Sequence, residues 1–572
     1  MPSFRVMYLF EKQVNSRTGS YTYICLGHNK RVDGQTKRVW SATLCRKDKI
    51  EESLPLLRRK LSGRSQEVEE HPFGLEYALL SICEELGLAN IVNQCIDKRE
   101  GTISVGEYLT VLVINRACVL NSKSKMQRWF DRTTLARCFP RLEGTLTPQN
   151  IFNQMAHLDQ ETMRAIESKL CKALVSTFKI DSDCFLFDPT NFFTYIREHE
   201  KNTIAQRGHN KKKRTELRQI NTSLLVTRDE FNLPMMHETY EGNVPDVTHF
   251  KDAIRLIEQR FNAIGIELPK VTLVFDKGNN SDEAYEMLDR DGIHFISSVR
   301  PSMAKVKKLM DIPLSEYEVL WTKENGTDVL GYRVETDLYL GGKNTLIATF
   351  DHDTFELQEY NLDKTIFLAE TTLKTFVERQ LNSKPQWKDK AKVATKIDRD
   401  ILKTKELRAL IPYAITEAGE YLQISWIADA GARNEALKDA GKSFIFTNQN
   451  AWSTADIVKT HRAQKGVEDQ FKALNNRNRI AVMPMYHWTD QKIRAHVFIS
   501  VLALLVSNLL YRKLRHNGIE ASAETCIEEL EGIKEIHARY EDDLPADIVL
   551  TRMSSLQKLM VKILDLKRKY IP

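Results

Sequence analysis

Residues 4 to 43 alternate apolar and polar side chains, with turn signals at Asn15 to Gly19 and at Asp33-Gly34, and this period of two predicts a small meander of strands. After a polar stretch, Leu61 to His71, the apolar positions take up a helical period: Tyr77, Leu80, Ile82, Leu86 and Leu88, then Val105 to Leu120, then Met155 to Phe178. From Asp181 onward short apolar runs return at Cys184 to Phe187, Leu224 to Thr227, Met235 to Thr239, Val271 to Phe275 and His294 to Val299, which predicts five strands. Helical segments at Thr248 to Ala263 and Ser281 to Leu288 give the order β, β, β, α, β, α, β. A mixed sheet with helices on its faces is expected.

Residues 301 to about 425 interrupt that order. Gly331 to Phe350 alternates like an antiparallel sheet, and the Lys-rich part from Lys374 reads as helix or loop, so a β-rich inserted domain is expected. Ser453 with Asp456 resembles a capping box that opens a helix running at least to Leu474. A second helix, Asp490 to Leu514, and amphipathic stretches near 523 to 538 and 550 to 568 close the chain. The boundaries are a basic β module at 1–64, a helical domain at 72–178, an α/β core at 179–300 and 426–512, the insertion at 301–425, and a C-terminal helical region at 513–572. A chain of 572 residues is too long for one hydrophobic core, which agrees with this multidomain division.

Charge adds a partner to this picture. The 83 Lys and Arg exceed the 77 Asp and Glu by only six, but the surplus is uneven. Residues 1 to 64 carry 14 basic and 5 acidic side chains, residues 197 to 218 carry 8 and 3, and residues 371 to 408 carry 11 and 5, which leaves the rest of the chain at −14. Separate basic stripes on an otherwise acidic protein suit phosphate backbones tracked along defined paths, so a nucleic-acid partner is expected, and 72–178, whose helices could enter a major groove, is the expected DNA-binding domain. The longest apolar stretch, Val497 to Val506, is about half the ~20 residues of a membrane span and reads as a core helix. No secretory signal is visible in MPSFRVMYLF, so the expectation is a cytoplasmic, nucleoid-associated protein without membrane contact. Nine cysteines without a C-x-x-C pair fit reduced thiols better than a disulfide framework or a zinc site, and the fourteen histidines show no zinc spacing. His487 and His496 read as helix-packing residues. Gly441-Lys442-Ser443 lacks the glycine a phosphate loop needs at position 436, where Ala436 stands, so no nucleotide cofactor is expected.

Three carboxylates carry the candidate chemistry. FLFDPTNFF at 185 to 193 places Asp188 at the end of an apolar strand, and VTLVFDKGNNS at 271 to 281 places Asp276 at the end of another. Carboxylates gathered at neighbouring strand ends repel one another unless a divalent cation sits between them, and Mg²⁺ prefers oxygen ligands. In HRAQKGVEDQFKAL at 461 to 474, Ala463, Val467, Phe471 and Leu474 form an apolar stripe, and Glu468 beside it can complete a site for two Mg²⁺ ions, which Mn²⁺ could replace. An Asp on the first strand, an Asp after the fourth and a Glu on a helix after the fifth is the layout of a ribonuclease-H-like catalytic core. The fold class expected is therefore α/β multidomain, with such a core interrupted by the insertion.

The chain resembles the bacterial insertion-sequence transposases of the DDE type, in the IS-four superfamily and closest to its IS-sixteen-thirty-four branch. The likeness rests on R-V-D-G-Q at 31 to 35, FDPTNFF, RGHNKKKR at 207 to 214, EGN at 241 to 243, FDKGNNS, VEDQF and PMYHWTDQKIRAHVFISVLALL at 484 to 505. The resemblance implies a Mg²⁺-dependent transposase that binds terminal inverted repeats as a homodimer, cleaves the DNA and joins the 3′-hydroxyl ends to a target. Asp188, Asp276 and Glu468 would be its catalytic and metal-binding residues. A structure-specific nuclease on the same core, or a transposase-derived non-catalytic DNA-binding regulator, are the alternatives. Relatives tend to carry Tyr, Arg and Lys around the Glu at spacings that fall here on His461, Gln464 and Asn475, so all three differ. Lys465 and Lys472, near Glu468, are candidates for the missing phosphate contacts, and Trp387 for a base-stacking partner. Arg207, His209, Lys211, Lys212, Lys213 and Arg214 are candidates for holding the DNA backbone.

Overall fold

The computed structural model describes residues 7–16, 19–32, 35–50, 67–96, 103–198, 200–208, 216–300, 304–336, 344–476, 478–483, 485–540 and 546–571. The chain divides into two units, one comprising Met1–Ser81, Ser122–Thr147 and Lys513–Pro572, the other Ile82–Asn121 and Pro148–Arg512. Helices expected as one domain at 72–178 are thus shared between the units. Hydrophobic period marks a helix but not the core it joins.

In the first unit, β1 (Met7–Ser16), β2 (Gly19–Val32) and β3 (Gln35–Arg46) form the expected antiparallel meander. Arg38 lies 3.5 Å from the Phe10 ring centroid and Arg46 4.2 Å from that of Tyr21, so part of the module's positive charge is stacked on aromatic faces. A further strand, β4 (Glu67–Pro72), lies within the stretch read as polar linker, and pairs with a strand at Lys534–Arg539. The C-terminal region is accordingly not all helical. Its helices, Ala523–Glu531 and Ser555–Ile563, flank the Lys534–Arg539 strand and the Asp547–Leu550 strand paired with it. Lys534 to Arg539 is too short for its apolar residues, Ile536 and Ala538, to separate the two periods, and the pairing with β4 decides for strand.

The second unit is built on a nine-stranded sheet. The five strands expected from the sequence are β5 (Cys184–Thr194), β6 (Arg218–Thr227), β7 (Pro234–Glu241), β8 (Thr272–Phe275) and β9 (His294–Ser298). They are joined by β10 (Glu318–Thr322), β11 (Asp328–Thr336), β12 (Asn344–Asp351) and, after the hairpin β13 (Tyr413–Ala418) and β14 (Tyr421–Trp426), by β15 (Lys442–Thr447). The order across the sheet is β10-β11-β12-β15-β9-β8-β5-β6-β7. β5, β6 and β7 form an antiparallel meander, β5, β8 and β9 run parallel, and β15 turns antiparallel to β9. The C-terminal pair of strands, Lys534–Arg539 and Asp547–Leu550, are β16 and β17.

The β-rich insertion needs correcting. β10 to β12 extend the main sheet, because β12 pairs with β15 from Thr345↔Thr447 to Phe350↔Lys442. What protrudes is mainly helical: the 28-residue helix His352–Arg379, two shorter helices at Lys390–Lys396 and Lys405–Leu410, a π turn at Ile397–Ile401 and the β13–β14 hairpin. Ile366, Ala369, Leu373 and Phe376 recur at helical spacing and pack with Val393, Ile397 and Leu410 into a separate small core. Alternation predicted the strands but could not say which sheet they would complete.

Helix Asp246–Ile264 covers one face of the sheet, where Phe250 stacks on Phe187 and Phe275 at 5.0 and 4.5 Å between centroids. Behind it lies a buried ionic cluster in which Glu167 meets His237 and, at 2.9 Å, Arg260, while Arg164 reaches Glu238 at 2.7 Å. The Asp490–His516 helix is long and apolar enough by composition to cross a membrane, its most apolar 18-residue stretch having mean hydropathy 1.9, yet 83% of that stretch is buried inside the protein. His496 Nε2 donates to the Val482 carbonyl there at 2.8 Å, and its ring lies 4.7 Å from that of His487, the packing role expected of both. Gly441-Lys442-Ser443 opens β15, and Lys442 Nζ donates to the Met310 carbonyl. All nine cysteines are free thiols.

Candidate functional site

The parallel register of β5 and β8 brings the two aspartates together. Cys184 pairs with Thr272, Phe185 with Leu273 and Leu186 with Val274, so Asp188 and Asp276 each stand two residues beyond the last pair, at the same level on strands about 4.8 Å apart. Alternation sets their direction. Phe187 and Phe275 face the Asp246–Ile264 helix, so the residues that follow them, Asp188 and Asp276, turn to the opposite face of the sheet. Asp188 is not at a strand end, however. β5 continues to Thr194 against β6, and only its pairing with β8 stops at Leu186.

Asp276 is held by β9, the other neighbour of β8. The Ser298 hydroxyl donates to its Oδ1 at 2.5 Å, and the Lys277 amide donates to the same oxygen at 2.8 Å. Oδ2 faces no protein hydrogen-bond donor among the described residues and stays open to a ligand. Asn280 fastens the rest of the turn to β9, its Nδ2 donating to the Ser298 carbonyl at 2.8 Å while its Oδ1 accepts from the Ser297 hydroxyl at 2.7 Å. Ser297 and Ser298 went unremarked in the sequence. Two serines closing a short strand carry no local signal, and their role appears only once β8 and β9 are in register.

The third carboxylate comes from a broken helix rather than the continuous one expected. Ser453 caps the Thr454–Arg462 helix by accepting from the Asp456 amide, and a tight turn at Ala463-Gln464 leads into the Lys465–Asn475 helix. There the bonds shorten to three-residue spacing, from Gly466 N to Ala463 O and from Val467 N to Gln464 O. The turn is anchored where it matters. Gln464 Nε2 donates to the Phe187 carbonyl, the residue before Asp188, at 2.8 Å. Gly466 has no room for a side chain, since a Cβ would meet the Asn232 amide at 2.5 Å. Val467, Phe471 and Leu474 are buried, and Glu468, one turn beyond Gln464, is exposed on the first turn of the second helix.

His461, at the end of the first helix, lies near Asp276. Burial pushes its imidazole down to about 4, against the pull of the Asp276 carboxylate, so the ring is neutral at pH 7. The helix pair reaches the carboxylate strands at two points, His461 near Asp276 and Gln464 beside Asp188, and Glu468 lies one turn beyond Gln464. No protein-family model matches the chain, and no curated protein sequence matches it.

Other candidates fall in different places. Lys465 is exposed on the first turn of the Glu468 helix, Lys472 pairs with Asp469 at 2.6 Å, and Asn475 turns its Nδ2 back to the Phe471 carbonyl. Trp387 is half-buried, with part of its surface engaged inside the insertion. It is packed against the core of the insertion, with its ring edge-on to Phe376 at 5.4 Å, because the Phe376 helix needs a large apolar partner there. An unforeseen arrangement is at Trp321, whose ring carries Lys459 at 5.3 Å and Arg462 at 5.2 Å, both from the helix that ends at His461. His209, Lys211, Lys212, Lys213 and Arg214 lie outside the described residues. Arg207 is described and exposed, and it borders a groove of about 510 Å³ that is also lined by Tyr195, Arg197, Glu216 and Arg218. The groove starts where β5 ends, about 20 Å along the strand from Asp188.

Proposed function

We propose that this chain is a divalent-metal-dependent DNA transposase with a ribonuclease-H-like core, in which Asp188, Asp276 and Glu468 hold two Mg²⁺ ions. The observation that carries the reading is the shared register of Asp188 and Asp276 on parallel strands, under the helix pair that bears Glu468. An antiparallel β5-β6-β7 meander followed by parallel β8 and β9 supports the core assignment. The donor set suits the ions: three carboxylates, no sulfur, and an Asp276 oxygen without a protein donor, as hard cations require. Bound Mg²⁺ would supply activation of the attacking oxygen and neutralisation of charge on the phosphate.

The rest is done by the chain. Ser298 and the Lys277 amide orient the Asp276 carboxylate, and Gln464 fixes the Glu468 helix against β5, so that the carboxylates are set before DNA arrives. Neutral His461 adds no positive charge next to Asp276. Exposed Arg197 and Arg207 lie on the course β5 takes from Asp188, where they would hold phosphates, and the basic β module would add sequence-independent affinity. Two copies of the chain would pair the two element ends.

The test is cleavage and strand transfer on duplexes carrying the element's terminal sequences, with and without Mg²⁺. Nicking at the element end followed by joining to target DNA is the expected result. Cleavage without joining would support a nuclease instead, and end binding without either would support a regulator.

A further inference from the structure

A second cluster of ligand-type side chains lies in the first unit, where β4 pairs with β16. The register sets His71 opposite Glu535 and Glu69 opposite His537, so the four side chains share one face of a two-stranded ladder. One ring nitrogen each of His71 and His537 and a carboxylate oxygen of Glu69 lie within 4.8 Å of one another. The two rings are 4.5 Å apart between centroids.

Hydrogen bonds determine which nitrogens carry protons. His71 Nδ1 lies 3.0 Å from the Arg132 carbonyl, which can only accept, so Nδ1 is the donor and Nε2 keeps its lone pair. That Nε2 is buried and has no hydrogen-bond partner, and Glu69 Oε2 is 3.6 Å from it. His537 Nε2 lies 2.5 Å from Oε1 of Glu535. Glu535 is fully buried and also receives the Arg137 guanidinium, so it is an ionised acceptor, and His537 donates through Nε2 while its Nδ1 lone pair remains available. Imidazoles fixed by a carbonyl and by a carboxylate, each with the other nitrogen left over, are the arrangement that outer partners impose on metal-ligating histidines.

We propose that Glu69, His71 and His537 bind one Zn²⁺ ion that clips β4 to β16. Two imidazoles and one carboxylate are a known donor set for zinc, with a fourth, tetrahedral position for water. Neighbouring ligand atoms around such an ion stand about 3.3 Å apart, close to the 3.6 Å already present between His71 and Glu69. The Arg539 guanidinium, 3.7 Å from the Glu69 carboxylate and 57% exposed, can swing into solvent, while the Arg137 guanidinium is held on Glu535. The site would tie together strands more than 460 positions apart, and it is independent of the function proposed above.

The experiment uses untagged full-length protein, dialysed against chelator, in an Asp276→Asn background so that the other carboxylate site does not compete. Titration with Zn²⁺ against a chromophoric chelator is expected to show one ion per chain and a rise in melting temperature, and Co²⁺ to give the visible absorption of a tetrahedral site. His71→Asn and His537→Asn should each weaken Zn²⁺ binding by about 100-fold or more. Glu69→Gln, at a partly exposed position that folding tolerates, should weaken it without changing the metal-free melting temperature. Absence of stoichiometric binding, or undiminished binding in the triple variant, would overturn the proposal.

Discussion

Gln464 Nε2 donates to the main-chain carbonyl of Phe187 at 2.8 Å, and this single bond ties the helix that carries Glu468 to the strand that carries Asp188. Gln464 is uncharged at a position where the sequence departs from the family it resembles, and its geometry makes it a positioning residue. Gln464→Ala should therefore lower DNA cleavage by roughly tenfold or more while reducing stability by only about 1 kcal/mol, and Gln464→Glu should be worse than Ala, since a carboxylate cannot donate to the carbonyl. Single-turnover cleavage beside thermal melts checks both, and cleavage unchanged in Gln464→Ala would remove the anchor.

The carboxylates themselves should be indispensable. Asp188→Asn, Asp276→Asn and Glu468→Gln are each expected to reduce cleavage by more than about 100-fold with end binding within a few fold of wild type, because affinity comes from phosphate contacts elsewhere. Gel shifts and cleavage gels on the same duplex separate the two effects. A variant that still cleaves does not belong to the site.

Gly466 tests the packing under Glu468. Asn232 cannot simply move aside, since its Nδ2 donates to the Thr227 and Asp229 carbonyls. Gly466→Ala should cost about 1–3 kcal/mol and impair cleavage. Asn232→Gly, acceptable at a backbone φ of 45°, should restore much of both in the double variant. Urea unfolding of the four proteins gives the coupling.

Stability should fall as the solution is acidified, from two sources with the same sign. Burial pushes His249, whose Nε2 contacts the Ser223 hydroxyl, down to about 4, so between the ordinary histidine value and pH 4 the unfolded chain binds a proton that the folded chain refuses. Glu167 lies below its ordinary value: its burial is outweighed by His237 and Arg260, so its contribution is present above the unfolded carboxylate pKa and lost as pH drops through the folded one. Melting curves from pH 7 to 4 should show a steady loss, shallower in His249→Gln. Glu167→Gln should cost about 3–5 kcal/mol at pH 7, as it strands the buried Arg260.

Trp387→Ala should unfold the insertion's small core, costing about 2 kcal/mol, rather than act on DNA chemistry directly. A footprint change without a stability change would return Trp387 to the base-stacking role first expected of it.

Much of the second unit was legible in the chain. Alternation located β5 to β9, helical period located the two helices between them, and Ser453 marked the start of the helix leading to Glu468, because these signals depend on neighbours within a few residues. As candidates, Asp188 and Asp276 were legible for the same reason, as acidic residues following apolar runs, and Glu468 as one beside a helical apolar stripe. Tertiary structure alone decided everything that needed a distant partner. It put β10 to β12 into the main sheet through β15, broke the helix at Gln464 to meet Phe187, and packed Trp387 against Phe376. It also turned a polar stretch into β4, and set Glu69 and His71 beside His537. A side chain's spacing records which face it shares with its neighbours, but which surface that face meets depends on pairings hundreds of residues away, and no local pattern encodes them.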